Sequence, residues 1–102
     1  MPETNQAPVN LTILEALRVI RELAADSASV ITLRHAQQRM RQRGITRMDI
    51  ERCLQRGSIT EGPFMNDHGH WQVTMRRHAA SEEMQCVVAI DWATRLLIIT
   101  VY

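Results

Sequence analysis

His35, Arg39 and Arg43 recur at every fourth residue, a spacing that sets all three along one stripe of a helix. A guanidinium grips a phosphodiester through paired donors and keeps its charge at any physiological pH. An imidazole one turn away can move a proton. Together these groups supply much of what metal-independent RNA cleavage requires: an activated 2′-hydroxyl, positive charge for the pentacoordinate phosphorane and a proton for the leaving oxygen. The plainer reading of the same residues is a histidine bonded to a backbone group at a helix start, followed by two solvated arginines. The spacing is compatible with both.

The surroundings of that stripe are unusually rich in arginine. Seven lie between Arg34 and Arg56 against only Asp49 and Glu51, in a chain whose net charge is just +1, and all twelve basic residues are arginine. Such a cluster is either a solvated helical face or a patch that contacts phosphates. On the second reading Arg34, Arg41 and Arg47 are candidate RNA contacts beside the stripe, with Arg76 and His78 from a strand further along.

A second constellation joins the polar face of the segment from His70 to His78 with Thr100 and Tyr102. Plain alternation puts Thr100 and Tyr102 on the same side of the last strand as Leu96 and Ile98, so that this strand turns from apolar to hydroxyl-bearing at its end. The pair would complete a catalytic site if the strand ended near the His/Arg stripe; otherwise it is a polar strand face shown to water. A third group, Asp67, His68, His70 and His78, contains metal-ligand types but not the tight paired spacings of zinc sites, and it reads as a histidine-bearing surface turn. No metal or other cofactor is expected. The chain has no Gly-rich phosphate loop, no GxSxG elbow and no HExxH, which removes several enzyme classes.

The elements that must position these residues fit one domain. A chain of 102 residues with 45% hydrophobic content can bury a single core. No apolar run approaches the ~20 residues that cross a bilayer, and the polar N-terminal stretch does not resemble a leader. Cys53 and Cys86 fall within apolar-periodic segments without CxxC spacing and read as small core residues, so a cytoplasmic, reducing compartment is expected.

Residues 1–11 read as a disordered tail and 12–102 as a single α+β domain. Thr12 to Glu15 matches a capping box opening a first helix, with Ile13, Leu17, Ile20 and Ala24 as its apolar stripe. Val30 to Leu33 is a weak strand signal. A second helix from about His35 to Arg43 stops at Gly44, which suits a left-handed cap with Ile45 packing back on Met40. Thr46 and Asp49 cap a third helix, Ile45 and Ile50 fit a hydrophobic staple, and Gly57 closes it. Thereafter the period becomes two. Ser58 to Glu61 is a strand ended by Gly62-Pro63, and His70 to His78 a half-buried strand with Trp71, Val73 and Met75 inward. Ala79 to Glu83 turns into an apolar strand from Met84 to Ile90, and a hairpin at Asp91 to Thr94 leads to a final strand from Arg95. The expected architecture is N-terminal helices packed on a C-terminal antiparallel sheet of about four strands.

The run from His35 to Thr46 (HAQQRMRQRGIT), with Ile20-Arg21-Glu22-Leu23-Ala24, Cys53-Leu54-Gln55-Arg56-Gly57 and the closing Ile99-Thr100-Val101-Tyr102, resembles the bacterial family called domain of unknown function 4258 from about residue 12 onward. The resemblance implies a fold similar to RelE and MqsR toxins, which are ribonucleases that cut messenger RNA without a metal. It also implies a partner antitoxin of zinc-finger or DNA-binding type. Its signature positions here are His35, Arg39, Arg43, Gly44 and Thr100. RelE-type enzymes often rely on lysines and on an extra C-terminal helix, neither of which this sequence carries. The expected function is therefore a toxin-type, metal-independent endoribonuclease acting on RNA, with His35, Arg39, Arg43, Thr100 and Tyr102 as its catalytic group. The alternative is a non-catalytic module that binds nucleic acid or protein through the arginine surface, and a homodimer built on a sheet edge is a further possibility.

Overall fold

The computed structural model describes residues 7–79, 82–92 and 94–102. In chain order the elements are α1 (Ile13–Ala24), a 3-10 turn (Ser27–Ser29), β1 (Val30–Thr32), α2 (Arg34–Arg43), α3 (Arg47–Arg56), β2 (Ser58–Met65), β3 (Trp71–Ala79), β4 (Glu82–Asp91) and β5 (Arg95–Val101). The strands form one sheet in the order β1-β5-β4-β3-β2. The expected α+β class holds, helices preceding the main sheet. Its four C-terminal strands are antiparallel, and the short Val30–Thr32 segment adds a fifth, parallel to β5.

The helices start and stop where local chemistry directs. Thr12 and Glu15 complete a reciprocal capping box on α1, and Thr46 and Asp49 do the same for α3, each pair satisfying two amide donors that the first turn cannot bond internally. Between α2 and α3, Gly44 adopts φ 67°, and the amides of Gly44 and Ile45 both reach back to the Met40 carbonyl. A side chain at that φ would be strained, so glycine sets the corner between the two helices. One helical stripe differs from expectation. Ile20 and Ala24 are buried and Leu17 partly covered as expected, but Ile13 is half exposed and Ala16 is buried in addition, with Leu23 partly covered.

All three helices contribute to one core on one face of the sheet. Ile20, Ile50, Cys53 and Leu54 meet Val73, Met75, Cys86, Val88, Ile90, Leu96, Ile98 and Val101 there, all essentially without solvent exposure. Part of the stretch expected as a tail joins this domain: Ala7 and Leu11 lie against the core, and Trp71 Nε1 donates to the Pro8 carbonyl at 3.0 Å. The remainder of that stretch, 1–6, lies outside the described residues.

Two strand expectations change, both because of bulges. β2 does not end at Gly62-Pro63 but continues to Met65; its register against β3 shifts between Ile59 and Glu61 and again between Glu61 and Phe64. β2 is an edge strand, where a proline removes no ladder donor that the sheet needs. In β5, Ile98 pairs with Val88 and Thr100 with Val87, so Ile99 is an extra residue. The bulge breaks the two-residue alternation. Thr100 and Tyr102 consequently do not share a face with Leu96 and Ile98. Val101 takes the core position, and Ile99, Thr100 and Tyr102 line the opposite, open face of the sheet.

Candidate functional site

α2 follows β1 directly. The Leu33 amide donates to the Ile98 carbonyl at 3.0 Å, and the helix then packs along β5. This brings the His/Arg stripe beside the end of the last strand, the juxtaposition on which a composite site depends. The Arg39 guanidinium carbon stands 5.7 Å from the centre of the Tyr102 ring, within range of a cation–π contact. The Tyr102 backbone is tied to Gln85 by bonds in both directions, of 2.9 and 3.3 Å, which hold the ring at the sheet's end.

Tyr102 forms a ridge between two concavities. On one side a cleft of about 330 Å³ lies at the α2–α3 corner, lined by Arg43, Gly44, Ile45, Asp49, Arg77, Glu83 and Met84 as well as Tyr102. On the other a shallower cleft of about 640 Å³ runs over the open sheet face, lined by Glu61, Phe64, Gln72, Thr74, Gln85, Val87, Ile99, Thr100 and Tyr102. Among the described residues, two polar atoms near this ridge are buried without a hydrogen-bond partner: Arg39 Nε and the Thr100 hydroxyl. Thr100 is only 7% exposed. Neither atom is satisfied within the chain, and a buried polar atom left wholly unpaired costs about 1–3 kcal/mol.

The acids of the corner cleft are already engaged. Donation from the Thr46 amide holds the Asp49 carboxyl below its ordinary range, and the Thr46 hydroxyl, Arg52 and Arg77 add to the effect. Glu83 is likewise held low, chiefly by Arg76, whose Nε lies 2.7 Å away in an ion pair that lacks hydrogen-bond alignment. Both carboxylates therefore stay ionised at neutral pH, and within the cleft they stand against the two guanidinium groups of Arg43 and Arg77.

The structure separates the predicted residues. Arg43 shares the corner cleft with Tyr102, Thr100 shares the sheet-face cleft with it, and Arg39 stands over its ring but lines neither cleft. His35 is exposed on α2 and lines neither cleft. Arg34 and Arg41 are exposed on the same helix away from both clefts. Arg47, predicted as an RNA contact, is instead a structural stitch: its guanidinium donates to the carbonyls of Ser27 and Val30 and to Glu51, joining α3 to the start of β1. Arg76 is paired with Glu83, and His78, exposed, stands 3.8 Å from the same carboxylate. The histidine-bearing turn does not form a metal cage: no group of three or more His, Cys, Asp or Glu among the described residues is placed to hold an ion. His70 instead faces Asp91 at 3.8 Å.

Sequence reasoning missed Arg77 and Glu61. Arg77 follows Trp71, Val73 and Met75 in the inward series of β3, and a charge at a core position was the available signal. Glu61 was hidden because its strand seemed to end there.

The pattern of the family described as Domain of unknown function (DUF4258) matches residues 32–102. The chain belongs to that family; α1 precedes the matched stretch, which starts later than the residue 12 from which the resemblance was read. No curated protein and no solved structure matches the chain. Among the described residues no helix is long and apolar enough to cross a membrane.

Proposed function

We propose that this protein is a toxin-type endoribonuclease that cleaves RNA without a metal, binding the phosphate backbone across the Tyr102 ridge. The observation that carries this reading is the pair of buried, unpartnered donors, Arg39 Nε and the Thr100 hydroxyl, beside an exposed aromatic ring. Single-stranded nucleic acid is recognised by that combination of cationic groups for the backbone and an aromatic face for a base. Arg39 and Thr100 would hold the scissile phosphate and Arg43 with Arg77 a neighbouring one, supplying the positive charge that the phosphorane develops. His35, one turn before Arg39 on the same helix, is the proton-transfer candidate. The resemblance to RelE and MqsR toxins that the family signature implies would fit the same reading and would bring an antitoxin partner.

The non-catalytic alternative also has an observation in its favour, since His35 lines neither cleft. One experiment separates the two. The purified protein is incubated with a long messenger RNA in excess chelator, and the products are analysed for 2′,3′-cyclic phosphate ends. Cleavage that falls at least about a hundredfold in Arg39→Met supports the enzyme. RNA that is bound, with a steep salt dependence, but stays intact supports the binding module. RNA neither bound nor cut overturns both.

A further inference from the structure

Apart from Thr100, the sheet-face cleft carries none of the groups assigned to phosphate, and its lining is of a different kind from that of the corner cleft. Its largest exposed side chains are aromatic: Phe64 on β2 and Tyr102 beyond β5, 48% and 44% exposed. Between them lie amides, hydroxyls and one carboxylate, and no arginine. Two of these polar groups have their orientation set by a neighbour. Gln72 accepts from the Asn66 side-chain amide through Oε1 at 3.0 Å, which leaves its own NH2 as a donor. Glu61 accepts from the Thr74 hydroxyl through Oε1 at 3.1 Å, which fixes the carboxylate and leaves Oε2 and the remaining lone pairs as acceptors.

We infer that this cleft seats one unstacked guanine of a single-stranded RNA, with Glu61 and Gln72 reading its edge and Phe64 and Tyr102 offering faces on which it stacks. The inference rests on the RNA reading above and adds the base that the site selects. Guanine is the base that presents two adjacent donors, N1–H and the N2 amino group, beside an acceptor, O6. A carboxylate takes both donors in a charge-assisted pair, and an amide donor beside it matches the oxygen. Adenine, cytosine and uracil each offer the carboxylate a single N–H group on that edge. The buried Thr100 hydroxyl, unpartnered and lining the same cleft, is available to a sugar or phosphate oxygen of the bound nucleotide. Duplex RNA would not fit this arrangement, because its bases are paired on the very edge being read.

The test uses the full chain and two probes. Binding of short single-stranded RNAs, one all-uridine and one with a single central guanine, is followed by fluorescence anisotropy. The nucleosides guanosine and adenosine, which carry no phosphate, are followed by amide chemical shifts. The expected result is about tenfold tighter binding of the guanine-containing strand and guanosine-specific shifts at Gln72 and Thr74. In Glu61→Gln, a change at an exposed position of an edge strand, the preference falls to about twofold or less. Phe64→Ala weakens the guanine-containing strand at least about fivefold. Circular dichroism checks that both variants are folded. Binding of both strands without preference, or a preference that survives Glu61→Gln, overturns the guanine subsite and leaves the phosphate reading standing. Guanosine shifts without binding of either strand sustain the subsite and overturn the ribonuclease. No guanosine shifts and no binding overturn both.

Discussion

Arg47 and Arg39 stand in neighbouring helices and carry the same side chain, yet the fold treats them oppositely. At the junction of α3 with β1, the Arg47 guanidinium is engaged by two carbonyls and by Glu51, and at the other end of α3 Arg21 donates to the Gly57 carbonyl at 2.7 Å. At the ridge between α2 and β5, Arg39 has a buried Nε with no partner and only an aromatic ring for company. A guanidinium whose donors are satisfied within the chain serves the fold. One left under-satisfied beside an aromatic ring that borders both clefts has a donor to offer a ligand. The same contrast runs through the sheet, whose helix-covered face is filled by aliphatic side chains and whose other face carries amides, hydroxyls and exposed rings.

The sharpest way to break this division is to cut into the covered face. Leu54→Ala removes a fully buried side chain and is expected to lower unfolding free energy by about 3 kcal/mol in urea denaturation, with RNA affinity of the folded protein unchanged. Tyr102→Ala should do the reverse, weakening RNA binding about tenfold while stability stays within about 0.5 kcal/mol. The two arginines provide the next contrast. Arg47→Met keeps the apolar stem but abandons two backbone carbonyls and Glu51, and about 2 kcal/mol of stability should go with it. Arg39→Met should leave the denaturation midpoint nearly unmoved and abolish most of the RNA affinity; equal losses from both would erase the distinction.

A smaller effect, on the order of 0.7 kcal/mol, is expected from Asp49→Asn at the start of α3, and it should depend on pH. The carboxyl of Asp49 is held below its ordinary value in the folded protein, so its contribution is complete above the unfolded value. It is lost as pH falls through the depressed folded value, and wild type and variant should converge in strong acid. Smallest is Thr100→Val, which replaces an unpartnered buried hydroxyl by a methyl of the same shape. Stability should stay level or rise by about 0.5 kcal/mol, with weaker RNA binding. A clear destabilisation would mean that the hydroxyl is bonded within the chain.

What could be read from residue order was what depends on neighbours in the chain. The two capping boxes, the glycine stop at Gly44 and the inward series Trp71, Val73, Met75 each involve groups within a few positions of one another, and all are present in the structure. The stripe of α1 was read rightly at Leu17, Ile20 and Ala24 but took Ile13 and passed over Ala16, both apolar enough to join it. Which side α1 buries was decided by the sheet and by α3. The ridge was only partly legible: Arg39, Arg43, Thr100 and Tyr102 were singled out, but for a strand parity that proved wrong.

The chain by itself determined the helix ends, the change from helical to alternating period and the supply of arginines, because each is settled by local hydrogen bonding and spacing. Only the tertiary structure decided that Ile99 bulges and turns Thr100 and Tyr102 to the open face. It alone also decided that Arg47 is tied to distant carbonyls while Arg39 is not, and that Arg77 and Glu61 enter the two clefts. A bulge is a relation between two strands, and a hydrogen-bond partner seventeen or more residues away is a property of the packed chain. Neither has a signature in the order of residues along one segment.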